Sequence, residues 1–196
     1  MPKSRVEAFS DGVLAIIITI MVLELKAPHE SSLAALRPLL PSLCAYILSF
    51  IHLGIYWNNH HHMFHATRRV HGNVLWANLH LLFWLSLFPF VTDWMGESRL
   101  ACVPTAAYGS VLLMAAVAYW ILQQTIIHDQ GPGSLLARAI GSDTKGKISP
   151  ILYAVAITLA FFWPLLSAVL FGTVALIWLV PDRRIERTLA ASGPED

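Results

Sequence analysis

Residues 5–26 read RVEAFSDGVLAIIITIMVLELK, an apolar run long enough to cross a bilayer as a helix, which takes about 20 residues. Two polar residues, Ser10 and Asp11, lie near its start, and Thr19 lies in its middle. Because a carboxylate inside a membrane helix is costly, its presence favours a functional role for the segment. From spacing alone, an ordinary buried helix with an apolar core is the alternative interpretation.

The apolar residues of this segment are arranged with helical periodicity. On a helical wheel, one narrow stripe contains Gly12, Ile16, Ile20 and Leu23. Thr19 falls at the edge of this stripe, and Asp11 points to roughly the opposite side. The pattern predicts that one face lines a feature of the protein while the other packs against neighbouring helices.

The composition is that of an integral membrane protein. Hydrophobic residues make up 56% and charged residues 13% of the 196 residues, and the mean hydropathy is +0.60. Soluble domains carry about 25% charged residues. The net charge of +1 and the lack of a basic run give no indication of a nucleic-acid partner, and two cysteines are too few for a disulfide framework. The first apolar segment lacks a small-residue cleavage site, so it is not expected to be a secretory signal.

The hydropathy pattern predicts one all-α domain over residues 1–196. It divides into six membrane spans at about 6–25, 38–57, 74–91, 103–127, 151–163 and 165–180. With six spans, one side of the membrane carries most basic residues, namely Lys3, Arg5, Arg68, Arg69, Arg138, Lys145, Lys147, Arg183, Arg184 and Arg187. The positive-inside rule then predicts a multi-pass protein of the cell inner (plasma) membrane, surrounded by lipid, with both termini in the cytoplasm.

The first segment also contains a longer motif, RxxxFSDGVxAIxxTxxVLEL, over residues 5–25. This motif resembles the first-helix signature of the endolysosomal (transmembrane-protein-175-type) potassium-channel family of animals, bacteria and archaea. Outside the first helix the similarity is looser, although the number of hydrophobic segments agrees. Animal members resemble two six-span units in one chain and assemble as pairs. The resemblance therefore implies that this single unit forms a homotetramer whose first helix lines a central pore.

The resemblance also implies roles for individual residues of the first helix. Ile16 matches the main constriction of the family, and Thr19 matches its selectivity-linked threonine. Four copies of Ile16, Ile20 and Leu23 would form stacked apolar rings, and such rings gate a pore by dewetting. The permeant ion is expected to be K⁺, with no cofactor. Because the familiar filter sequence TVGYG is absent, we expect the preference for potassium to be modest.

A polar network is expected to anchor the first helix. Arg5 and Asp11 are six residues apart and do not share a helix face, so their partners must come from other spans. The predicted network consists of Arg5, Ser10, Asp11, Asn78 and His80, with Trp57, Asn58, His60, His61, His62 and Trp76 as further candidates at a similar depth. The alternative is that Asp11 faces the pore as a cation-attracting ring, which the helical wheel disfavours.

Two other functions compete with a channel. A proton-coupled secondary transporter that uses Asp11 and histidines is the main alternative, but no inverted repeat or pair of broken helices is visible. A membrane hydrolase would need catalytic residues, and no nucleophile–base pair is recognisable, so no enzyme is predicted. His61 and His65 have the i, i+4 spacing of metal ligands, yet they lack a neighbouring cysteine, carboxylate or HExxH motif. We therefore predict no metal site.

Overall fold

The computed structural model describes residues 2–28, 31–67, 69–140 and 143–179, and only the backbone of Thr144. Every regular element in these ranges is helical, which confirms the all-α class. The elements are α1 (Lys3–Leu23), a 3₁₀ helix (Leu33–Leu39), α2 (Leu40–His65), α3 (Gly72–Ser86), α4 (Phe88–Glu97), α5 (Cys102–Gln130), α6 (Leu135–Ile140), α7 (Thr144–Ala160) and α8 (Pro164–Leu179). Arg68, the predicted end of span six at Val180 and the basic residues of the C-terminal tail lie outside the described residues.

Several helices have the length and composition of membrane spans. Within the described part of the chain, four helical segments are long and apolar enough to cross a membrane, at Lys3–Leu23, Leu33–His65, Gly72–Glu97 and Cys102–Gln130. The helix Pro164–Leu179 is apolar but shorter, with 16 residues, and α7 has 17. The count of six spans therefore stays a prediction.

The second span continues beyond its predicted end. Sequence polarity predicts a connection from Asn58 to His71, whereas α2 remains helical to His65. Buried side chains near this end, including Met63 and Phe64, pack against the bundle. Because tertiary packing of one face supplies most helical stability, these contacts extend the helix through the polar histidines.

The third span is interrupted at Leu87, where the sequence predicts one span over residues 74–91 followed by a loop. Pro89 has no N–H, and its ring would clash with the carbonyl of Leu85, so α3 ends at Ser86 and α4 begins at Phe88. At the break, the backbone N–H of Leu87 bonds instead to the carbonyl of Trp84, at 3.3 Å. The segment predicted as a loop from residue 92 is helical to Glu97, held by buried side chains of α4.

The first and fifth helices, α1 and α5, have different neighbours in the bundle. α1 packs against α2, α3 and α4, while α5 packs between α3 and α7. The hairpin of α7 and α8 is closed by a hydrogen bond from the Ser167 hydroxyl to the Ala156 carbonyl, at 2.7 Å. The helices meet around an aromatic centre in which the Tyr108 ring lies 5.5 Å from Phe171 and 6.1 Å from Phe88. This arrangement leaves α1 at one side of the bundle.

Candidate pore-lining surface and its anchoring network

One face of α1 is buried in the bundle. Its buried residues recur at helical spacing and are Val6, Ser10, Leu14, Ile17 and Met21. The helix has 21 residues, so it is about 32 Å long and matches a hydrocarbon core of about 30 Å. Because the buried face is narrow, a broad part of the helix surface remains uncovered by the rest of the chain.

The apolar stripe predicted from the sequence lies on this uncovered surface. Ile16 is 59% exposed, Ile20 41% and Leu23 78%, whereas the neighbouring Ile17 is buried. From Ile16 to Leu23 the stripe rises by about 10 Å along the helix. α1 therefore presents three bulky apolar side chains away from its own bundle.

Thr19 is exposed beside this stripe, between the levels of Ile16 and Ile20. Its hydroxyl donates a hydrogen bond to the Ile16 carbonyl, at 2.9 Å. Because the hydroxyl hydrogen is directed to the backbone, the lone pairs of Oγ1 are left for another partner. An oxygen with this arrangement can act as a ligand for a cation.

A buried hydrogen-bonded chain joins three helices at the FSD stretch. The Asn78 amide nitrogen on α3 donates to Ser10 Oγ on α1, at 2.9 Å, and Asn78 Oδ1 lies 2.8 Å from His60 Nε2 on α2. Ser10 in turn donates to the Val6 carbonyl, and the His60 ring stacks on Phe64. All three network side chains are at most 3% exposed. The chain of bonds fixes the rotation of α1 against its neighbours.

Asp11 has a separate partner at the protein surface. The Trp57 indole N–H on α2 donates to Asp11 Oδ1, at 3.0 Å, and both residues are exposed in the single chain. Asp11 lies outside the Ser10–Asn78 chain, although it is adjacent in sequence. Its carboxylate thus links α1 to α2 on a flank of α1 that the bundle does not cover.

The other residues predicted for the network lie apart from it. His80 accepts a hydrogen bond from the Trp84 indole, at 3.0 Å within α3. The exposed Arg5 side chain makes no hydrogen bond or ion pair with the described part of its own chain. His61 and His65, the pair with the spacing of metal ligands, have ring centroids 6.1 Å apart and tilted ring planes.

The structure contains a second buried polar cluster that was not predicted from the sequence. Ser49 Oγ lies 2.7 Å from Thr92 Oγ1 and 3.0 Å from the Tyr108 hydroxyl, which ties α2 to α4 and α5. The sequence does show hydroxyl residues within apolar spans, which is compatible with a buried polar cluster. Serines and threonines in helices, however, also donate hydrogen bonds to carbonyl groups of their own helix. Only the three-dimensional packing distinguishes the two cases.

The described chain is an all-helical bundle, several of its helices have the length of a bilayer span, and its first helix turns an apolar stripe outward. These features define an integral membrane protein. The sequence model of the endosomal/lysosomal potassium channel TMEM175 matches residues 5–89. The chain is 57% identical to a potassium channel of Chryseobacterium sp. (strain P1-3) over 189 residues, covering 96% of this chain and 98% of that protein.

Further similarity extends over most of the chain. It is 33% identical over 189 residues to a potassium channel of Streptomyces collinus, covering 90% of this chain and 91% of that protein. The crystal structure of a lysosomal potassium-selective channel TMEM175 homologue from Chamaesiphon minutus superposes with a TM-score of 0.81 at 30% identity, covering 92% of this chain and 97% of that one. The chain therefore belongs to the TMEM175 family, a family of channels and not of enzymes. These comparisons give no support to the transporter alternative.

Proposed function

We propose that the chain forms a potassium-preferring cation channel as a homotetramer, with α1 lining a central pore and both termini in the cytoplasm. The observation that carries the proposal is the uncovered apolar stripe on the helix that bears the family motif. The potassium channels to which the chain is similar support the choice of ion.

The faces of α1 fit a position at a symmetry axis. One face packs on α2, α3 and α4, the stripe faces away from them, and the flank with Asp11 lies between the two. A helix next to an axis needs one such face for its own subunit, one for the pore and one for the adjacent subunit. In the proposed tetramer, the adjacent subunit covers the Asp11–Trp57 pair.

The stripe supplies a constriction and a gate. A cation in a neck of four Ile16 side chains loses most of its hydration with no polar replacement, which is unfavourable. Thr19 lies three residues further along, about 4.5 Å toward the outer end of the helix. Four Thr19 oxygens at that level replace part of the water shell, so the ring of oxygens supports a modest preference for potassium without a TVGYG filter.

Substitutions of Ile16 test the constriction. In planar bilayers, Ile16→Asn is expected to give larger and leakier cation currents because a wetted ring removes the dehydration barrier, while the bulkier Ile16→Phe suppresses them. The matched control is Ile47→Asn, because Ile47 is also about half exposed but lies on α2. Unchanged conductance in both Ile16 variants would show that α1 does not line the conduction path.

Substitution of Thr19 tests selectivity. Thr19→Val keeps the shape and deletes one hydroxyl per subunit, so the reversal potential under bi-ionic conditions should shift toward equal permeability of potassium and sodium. Thr173→Val is the control. Like Thr19, Thr173 is exposed and its hydroxyl donates to a carbonyl of its own helix, here that of Val169, but it lies on α8. A shift in the control, or none in Thr19→Val, would contradict the assigned role.

Cysteine labelling tests the orientation of α1. After Cys44 and Cys102 are replaced by serine, cysteines at Ile16 or Ile20 should be modified from the pore and crosslink between subunits. A cysteine at the buried Ile17 should stay unmodified. The opposite pattern, or a stable monomer in detergent, would refute the proposed tetrameric pore.

A further inference from the structure

The uncovered face of α1 extends beyond the stripe toward the N-terminus of the helix. Phe9 precedes Ile16 by seven residues, so at about 100° per residue its direction differs from that of Ile16 by about 20° and lies between those of Ile16 and Ile20. Phe9 is 53% exposed, close to the 59% of Ile16. An aromatic side chain therefore shares the face that carries the apolar stripe.

The direction of Phe9 is fixed by the two residues that follow it. Ser10 is bonded to Asn78 on α3 at 2.9 Å, and Asp11 is bonded to Trp57 on α2 at 3.0 Å. Both partners lie on neighbouring helices, so a rotation of α1 at this level would break these bonds. Phe9 is thus held away from its own bundle, at the depth of the anchoring bonds.

The same face has a gap between Phe9 and Ile16. Gly12 has no side chain, and a methyl group at its position would meet no atom within 4 Å outside its own stretch of α1. Val13, the other residue near this part of the face, is half-buried and packs against the core of the bundle. Seven residues of helix rise by about 10 Å. The gap is therefore long enough for about three water molecules in a hydrogen-bonded row, at about 2.8 Å each.

Four copies around the proposed axis turn these features into successive levels of one pore. Phe9 supplies a ring of aromatic side chains, Gly12 a wider level, and Ile16 the constriction proposed above. A cation loses water in an apolar neck, and this loss is unfavourable when no polar group replaces the water. Water at the wider level restores the hydration of the ion. From the N-terminus, the levels are thus apolar, hydrated and apolar.

We propose that Phe9 forms a second apolar constriction on the cytoplasmic side of Ile16, and that Gly12 keeps a hydrated chamber open between the two. The inference rests on the proposed function, because it needs α1 at the axis and the N-terminus in the cytoplasm. It adds a second dehydration step and a chamber that cytoplasmic molecules enter only through the Phe9 ring. Because aromatic faces attract cations and isoleucine side chains do not, the Phe9 ring is the lower of the two barriers.

Cysteine modification tests whether Phe9 lines the conduction path. In the background that lacks Cys44 and Cys102, Phe9→Cys is treated in planar bilayers with the membrane-impermeant cationic thiol reagent MTSET, added to one side at a time. From the cytoplasmic side, the reagent should lower the potassium current at least about twofold, because the attached positive charges repel cations in the path. From the outer side it should have no effect, because the Ile16 ring excludes it.

Trp76→Cys is the matched control for this experiment. Trp76 is 75% exposed and lies two residues before Asn78, which bonds to Ser10, so it lies at a depth similar to that of Phe9 but on α3. MTSET should leave the current of this variant unchanged. A Phe9→Cys current that cytoplasmic MTSET leaves unchanged, or that only the outer reagent lowers, would overturn the proposal.

Two substitutions separate the constriction from the chamber. Phe9→Ala should raise the rate at which cytoplasmic MTSET modifies Ile16→Cys at least about tenfold, because the ring no longer limits entry. Gly12→Leu fills the chamber and joins the two constrictions into one apolar neck, so it should lower the current at least about tenfold. Gly172→Leu on α8 is the control, since a methyl group there likewise meets no atom within 4 Å. An unchanged modification rate in the first variant, or an unchanged current in Gly12→Leu, would contradict the proposal.

The outcomes separate this inference from the proposed function. If Ile16→Asn raises the current while the Phe9 and Gly12 variants behave as the wild type, α1 lines the pore but has no second constriction, and only the inference fails. If Ile16→Asn and the Phe9 variants are all without effect, α1 does not line the conduction path and both proposals fail.

Discussion

Replacing Asn78 with leucine tests whether the buried chain of bonds holds α1 in place. The substitution removes the bonds to Ser10 Oγ at 2.9 Å and to His60 Nε2 at 2.8 Å. Side-chain hydrogen bonds between membrane helices contribute about 0.6 kcal/mol each. His60 also loses its acceptor, and an orphaned buried donor costs about 1–3 kcal/mol. Ser10 keeps its bond to the Val6 carbonyl, so we expect a total loss of about 2–4 kcal/mol.

The measurement is unfolding of the purified protein by increasing SDS in mixed micelles, followed by far-ultraviolet circular dichroism. Ser86→Ala is the matched control on α3, because Ser86 is exposed and bonds only to the Phe83 carbonyl of its own helix. This variant should unfold at the wild-type SDS fraction.

A double variant isolates the cost of the orphaned group. Asn78→Leu combined with His60→Phe keeps a ring against Phe64 and removes the unsatisfied nitrogen, so it should recover about 1–3 kcal/mol relative to Asn78→Leu alone. Wild-type stability in Asn78→Leu, or a double variant no more stable than the single one, would refute the reasoning.

Two further predictions concern helix packing and assembly. In Gly96→Ala the new methyl group would lie 2.6 Å from Ser42 Cα, so the backbone must shift, and SDS unfolding should show a loss of about 1–3 kcal/mol; Gly54→Ala, with no atom within 4 Å of its methyl, should not be destabilised. Trp57→Phe removes the donor to Asp11 at the proposed subunit boundary, and size-exclusion chromatography should show fewer tetramers and more monomers. An unchanged elution profile would argue that this pair plays no part in assembly.

The sequence was most informative where local periodicity determines structure. The spacing of Ile16, Ile20 and Leu23 predicted one common face of α1, and the three side chains do share an uncovered face. Likewise, Ser10 and Asn78 were predicted to lie in one network, and they bond directly. A periodic helix fixes which residues share a face, so the inference about the stripe needs no knowledge of the neighbours. The pairing of Ser10 with Asn78 follows instead from the similar membrane depth predicted for the two residues.

Partner choice and helix ends depend on contacts between distant residues. Trp57 and His60 were two of several polar candidates at one depth, and only the packing of α2 on α1 and α3 selects one for Asp11 and the other for Asn78. Similarly, polarity suggested a loop after residue 57, whereas buried contacts keep α2 helical to His65. Local sequence carries no record of such contacts.

The interruption of the third span bears on how α1 is held. Near one end of α1, Ser10 is bonded to Asn78 of α3; near the other, the Met21 sulfur lies 3.9 Å from Thr92 Oγ1 of α4. These two attachments lie on either side of Leu87, where the regular hydrogen bonding of the third span is interrupted. α1 is therefore held by both halves of the interrupted span, and the positions of Ile16 and Ile20, which lie between the two attachments, depend on both halves, while Leu23 lies beyond the second attachment.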